Sequence, residues 1–170
     1  EETTVTAVAK IGDTGYSSLA DALAAANDGD TVTLLADTPE DVTITTSITL
    51  DLGGKTLTNT NAGKATLTVE DGATATVKNG SIVGGTGNYT IQNNGTATFE
   101  DVTATAGNIG SSMIDNWGTL TINSGTYTGG MNTVKSEENS TLVINDGTFT
   151  CDYGKKWSYT ATILVYGDTT

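Results

Sequence analysis

The sequence predicts an all-β chain, a parallel β-helix of three-strand rungs about 22 residues long, closed at its N-terminal end by one short helix. Three observations carry the prediction. The first is a repeat: the segments at 73–83, 95–105, 118–128 and 140–150 follow one pattern, placing Val77, Phe99, Ile122 and Ile144 at spacings of 22, 23 and 22 residues. Ile82, Ala104, Tyr127 and Phe149 recur with the same spacings, and a third apolar column precedes them at Ile44, Val69, Ile91, Ile114 and Val134. The second is periodicity, because apolar residues alternate with threonine in each run, as a strand with one buried face requires. The third is turn chemistry. Lys78-Asn79-Gly80, Glu100-Asp101-Val102, Asn123-Ser124-Gly125 and Asn145-Asp146-Gly147 separate the second and third runs and supply residues that tolerate tight corners. A 22-residue unit cannot bury its apolar face alone, so the units stack, each strand pairing with its equivalent one rung along.

Residues 1–41 read as an N-terminal cap made of a strand, a helix over 17–27 and a strand over 31–36. Serine stands at the start of the helix, Leu19, Ala22, Leu23 and Ala26 share one face, and Asn27 to Gly29 end it. Solenoids need such an atypical end unit to cover the open core. Rungs fill 42–170, with Leu52 and Leu57 in the first full unit, an insertion at 151–159, and a last rung broken off over 166–170. The expectation is a single domain, cut from the N-terminal part of a longer protein and lacking a signal peptide.

Composition removes several functions. Seven basic residues, all lysine, face 20 acidic ones, for a net charge of −13, so no basic stripe exists to release counterions from nucleic acid. No run approaches the length of a membrane-spanning helix, and insertion into a membrane is not expected. The chain has no histidine, which excludes serine or cysteine nucleophiles paired with imidazole and histidine-ligated zinc. A lone Cys151 can form no internal disulfide and reads as a small half-buried residue.

The run 16–35, continued by Ile48-Thr49-Leu50-Asp51-Leu52-Gly53-Gly54-Lys55-Thr56-Leu57, resembles the start of pectate-lyase-like β-helix regions in large surface proteins of gut Firmicutes and bifidobacteria. The resemblance implies a right-handed solenoid and a bacterial cell-surface or secreted location. Activity does not follow from it, because the same fold carries lyases, hydrolases, adhesins and stalks. The lyases use an arginine or lysine base beside acidic calcium ligands, and this chain has no arginine. Inverting hydrolysis needs carboxylates converging on one face. The column Asp71, Asn93, Asn116, Glu138 and the column Lys78, Glu100, Asn123, Asn145 put no two carboxylates on adjacent rungs, and Asp101 and Asp146 are separated by Ser124. The expected function is a non-catalytic adhesin-type binding or spacer module for an extracellular glycan or host protein. The alternatives are a fragment of a polysaccharide-active enzyme with its catalytic rungs downstream, or an inert stalk.

The acidic stretches 28–30, 37–41 and 137–138 offer oxygens to calcium but lack the spacing of a calcium loop, so they read as solvated loops; no cofactor is expected, with calcium the weaker alternative. Outward threonines decorate all three strands rather than one privileged face, which favours β-propensity over an ice-binding array. The binding candidates are Trp117 and, in the insertion, Tyr153, Lys155, Lys156, Trp157 and Tyr159. Exposed aromatics there can stack on sugars or anchor a protein, or Trp157 and Tyr159 can fold back over the solenoid edge. Whether the insertion lies on the same side of the solenoid as Trp117 is open. The unpaired last rung invites dimerisation.

Overall fold

The structure is a computed structural model that describes residues 6–107, 110–151 and 160–166. In chain order, β1 (Ala9–Ile11), β2 (Thr14–Tyr16) and α1 (Leu19–Ala25) form the cap, and β3 (Thr31–Leu34) and β4 (Thr38–Pro39) begin the winding. Successive turns are β5 (Val42–Ile44), β6 (Ile48–Asp51) and β7 (Thr56–Thr58); then β8 (Leu67–Val69) and β9 (Thr74–Val83); then β10 (Ile91–Asn93) and β11 (Thr96–Thr105). They continue as β12 (Ile114–Asn116), β13 (Thr119–Ile122) and β14 (Gly125–Thr128); β15 (Asn132–Ser136), β16 (Thr141–Ile144) and β17 (Thr148–Thr150); and finally β18 (Ala161–Val165). Every strand from β3 to β15 pairs in parallel with its equivalent on the next turn, giving a β-solenoid of about five turns.

The winding makes three faces. The first is β5-β8-β10-β12-β15-β18, a sheet of its own. The second holds β3, β6, β13, β16 and the leading halves of β9 and β11, and the third holds β4, β7, β14, β17 and the trailing halves. β9 and β11 run through the corner between these two faces because Asn79 (φ 59°) and Asp101 (φ 52°) take the left-handed conformation that asparagine and aspartate tolerate.

The two columns read from the repeat are paired as expected: Val77, Phe99, Ile122 and Ile144 lie in register, as do Ile82, Ala104, Tyr127 and Phe149. Their side chains fill one continuous core, in which Phe99 and Tyr127 are wholly buried and Tyr127 stacks on Phe149 at 5.1 Å. The first-face column needs correction. Val42, Leu67, Ile91, Ile114 and Val134 form one column, while Ile44 and Val69 belong to a second that continues through Asn93, Asn116 and Ser136. Inward polar groups are tolerated there because they bond to each other and to the next strand. Asn93 Nδ2 donates to Asn116 Oδ1 (2.8 Å) and Thr119 O (3.0 Å), and Asn116 Nδ2 donates to Ser136 Oγ (3.0 Å) and Thr141 O (3.0 Å). Asp71 and Glu138 therefore lie outside the column assigned to them; the corners between the first and second faces differ in length, 70–73 and 137–140 against 94–95 and 117–118, and counting back from the second face loses the register.

The cap is shorter than its sequence suggests. Ser18 is extended and its Oγ accepts from the Asp21 N–H (3.0 Å), so α1 starts at Leu19, and Ala26 is extended again. Glu40 accepts from the N–H groups of Leu19 and Ala20, both at 2.9 Å, which satisfies two donors that helix geometry leaves free. β1 pairs antiparallel with both β2 and β3, so parallel pairing ends at the cap.

Candidate functional site

The most unusual polar cluster lies on the first face. Ile114 and Asn116 point inward, so alternation turns Asp115 outward, and pairing in register sets it beside Lys135 on the next turn. Asp115 is nevertheless only 1% exposed. Trp117 Nε1 donates to its Oδ2 (2.7 Å), and Lys135 Nζ stands 3.8 Å from Oδ1. Lys135 also pairs with Glu137, the buried residue that follows the end of β15, and lies 5.5 Å over the ring of Tyr166. Tyr89, in the loop before β10, also interacts with Asp115, Lys135 and Glu137.

The charges perturb one another. Burial pushes the Asp115 carboxyl above the usual range; the Trp117 hydrogen bond and the Lys135 ammonium pull it back, Glu137 pushes it up, and the net shift is upward. Burial opposes the charge on Lys135, but the hydrogen bond to Glu137 and the charge of Asp115 overcome this and hold the ammonium above its ordinary value. Burial, then the Asp115 charge, raises the Tyr89 phenol. One ammonium thus serves two carboxylates.

Two hollows border the cluster. One, of about 220 Å³, lies between Tyr89 and Tyr166 with Lys135, Met131 and Leu164 on its walls. The other, of about 350 Å³, lies at the corner between the first and second faces, where Trp117 overlooks Asp71, Asn94 and the outward threonines Thr74, Thr96 and Thr119. Trp117 is 53% exposed. Its N–H is committed to a buried carboxylate, so the indole is held in place with its ring open to solvent. Gly95 and Gly118 make this corner possible: a Cβ on Gly118 would sit 2.0 Å from the Gly95 carbonyl oxygen. Asn116 and Val165 both lie in register with Ser136, so the residues that follow them, Trp117, Glu137 and Tyr166, occupy one edge column on three successive turns.

Of the residues singled out from sequence, Trp117 takes part in this site. Tyr153, Lys155, Lys156, Trp157 and Tyr159 lie outside the described residues. The flanks of their segment are placed: Cys151 Sγ donates to the carbonyls of Gly130 (3.4 Å) and Met131 (3.2 Å), and the Ala161 N–H donates to Asn132 Oδ1 (3.0 Å). The insertion therefore leaves and rejoins the solenoid at the corner between the third and first faces, across the first face from Trp117.

The acidic loops work as staples. Asp28 accepts from the Ser47 N–H (3.0 Å), Asp37 from the Thr56 N–H (2.9 Å), and Asp41 from the N–H (3.0 Å) and hydroxyl (2.6 Å) of Thr60. Among the described residues no three acidic or cysteine side chains gather as a metal site.

Asp115, Lys135 and Glu137 escaped the reading of acidic columns, yet a signal existed. Ile91, Ile114 and Val134 are equivalent, and the residues that follow them are Gln92, Asp115 and Lys135, an outward column with opposite charges on neighbouring turns.

No family model matches the chain. No curated protein and no solved structure matches it either.

Proposed function

We propose that the chain is a non-catalytic, extracellular binding or spacer module of the adhesin type from a bacterial cell surface, which recognises a glycan or host protein through its first face. The observation that carries this reading is Trp117, a large aromatic held open to solvent by a hydrogen bond to a buried carboxylate, above a hollow lined with hydroxyl and amide groups. Fixing a side chain before binding removes the ordering cost that otherwise weakens recognition. The stacked solenoid supplies a rigid frame, and the resemblance of the cap and first rung to pectate-lyase-like regions of surface proteins favours the same setting.

The raised carboxyl of Asp115 beside Glu137 favours a second reading, a polysaccharide-active site, since acid–base cleavage uses one carboxyl with a raised pKa. Its geometry supports cleavage poorly. Asp115 is almost wholly covered, one oxygen is held by Trp117, and Lys135 ties it to Glu137. A binding screen over arrayed glycans, mucins and matrix proteins, run with the parent chain and a Trp117→Ala variant, tests the proposal: binding that drops in the variant supports it. A screen without hits moves the reading to a stalk, and release of reducing ends or unsaturated products moves it to an enzyme.

A further inference from the structure

We infer that the ligand of this face is an uncharged oligosaccharide lying over the edge column Trp117–Glu137–Tyr166, and that polyanionic glycans are excluded; this rests on the glycan reading above. The two aromatic residues stand two turns apart, about 10 Å by strand spacing, and both are exposed, Trp117 at 53% and Tyr166 at 44%. Two exposed aromatic side chains at that separation suit a chain of sugar rings better than a single small molecule.

Charge selects the class. The corner that carries Trp117 also carries Glu70, Asp71, Glu137 and Glu138 and contains no lysine. Among the described residues Lys135 is the cation beside this column, and its ammonium is already shared between Asp115 and Glu137. A sugar carboxylate or sulfate approaching the column would meet net negative charge within a Debye length and would have to take Lys135 from partners it cannot leave without stranding two buried carboxylates. Sugar hydroxyls meet no such opposition. They donate to carboxylates and accept from side-chain amides, and Asn94 lines the Trp117 hollow.

The test measures affinity for an uncharged galactan, its oligomers and polygalacturonate by calorimetry, over a range of ionic strength. The parent chain is expected to bind the uncharged series, to gain affinity with oligomer length until both rings are covered, and to bind polygalacturonate at least tenfold more weakly at low salt, the gap narrowing as salt rises. Trp117→Ala and Tyr166→Ala should each weaken the galactan about tenfold. Glu70→Lys with Glu138→Lys, both exposed and neither on the wall of the Trp117 hollow, should admit polygalacturonate while leaving galactan affinity within about twofold. Tighter binding of polygalacturonate that still depends on Trp117 overturns the assignment of ligand class and leaves the glycan reading standing. Failure of every sugar to bind, with the Trp117→Ala variant indistinguishable from the parent, overturns both.

Discussion

Replacing Lys135 with methionine keeps the apolar stem and removes the one cation that Asp115 and Glu137 share. Both carboxylates are largely buried, at 1% and 8% exposure, and breaking a buried pair costs about 3–5 kcal/mol when the abandoned charge has no other partner. The Lys135 side chain is 24% exposed, so solvent screens part of the pair and a loss of about 2 kcal/mol at neutral pH is expected. The pH dependence identifies the cause. Asp115 is already held above the usual carboxyl range, and losing Lys135 removes one of the two influences pulling it down. A group whose folded pKa exceeds its unfolded value, about 3.9 for aspartate, contributes stability that is fully present below the unfolded value and is lost as pH rises through the folded one. The variant should therefore lie close to the parent near pH 4 and fall behind it as pH rises toward neutrality. Lys135 is shifted upward in the parent, so its contribution persists to about pH 10.4, the ordinary lysine value, and is lost above it. Urea unfolding followed by tryptophan fluorescence across this range measures the difference. A deficit of the same size at pH 4 and pH 8 would refute the reasoning and place the contribution of Lys135 in the packing of its stem.

Other consequences are equally open to measurement. Gly118→Ala drives a Cβ into the Gly95 carbonyl, a backbone atom that no rotamer change can move, so a loss of about 3 kcal/mol is expected by urea titration; a neutral substitution would mean the corner can spread. Adding or chelating calcium should leave the thermal midpoint unchanged, because Asp28, Asp37 and Asp41 are occupied by backbone N–H groups; a rise with millimolar calcium would show a site. Among the described residues β16, β17 and β18 have no strand on their outer side, and Val143, Ile163 and Val165 are exposed there. Light scattering should accordingly detect association that grows with concentration, and a strictly monomeric chain would show this edge to be protected.

The fold was more legible than the site, for a physical reason. On the second and third faces the corners have nearly constant length, since one left-handed residue or one glycine makes the turn, and the columns from Val77 to Ile144 and from Ile82 to Phe149 could be counted directly. The first face leads into the second through corners of unequal length, over 70–73, 94–95, 117–118 and 137–140, so counting back from the second face slipped its register. The inward column also changes chemistry, from Ile44 and Val69 to Asn93 and Asn116, which hid it from a search for apolar residues. Asp115 was invisible as a buried group because its cover comes from outward side chains, among them Trp117 and Lys135, rather than from the core. Trp117 stood out by type alone; what fixes its indole is a neighbour that only the three-dimensional pairing reveals.

The most direct test maps the ligand onto the surface. Chemical shifts of isotope-labelled protein, titrated with an uncharged oligosaccharide that binds, should move at the Trp117 indole N–H, Asn94, Glu137 and Tyr166, while Thr76, Thr98 and Thr121 on the second face stay fixed. Shifts concentrated on those threonines, with Trp117 unmoved, would contradict the assignment of the first face as the binding surface.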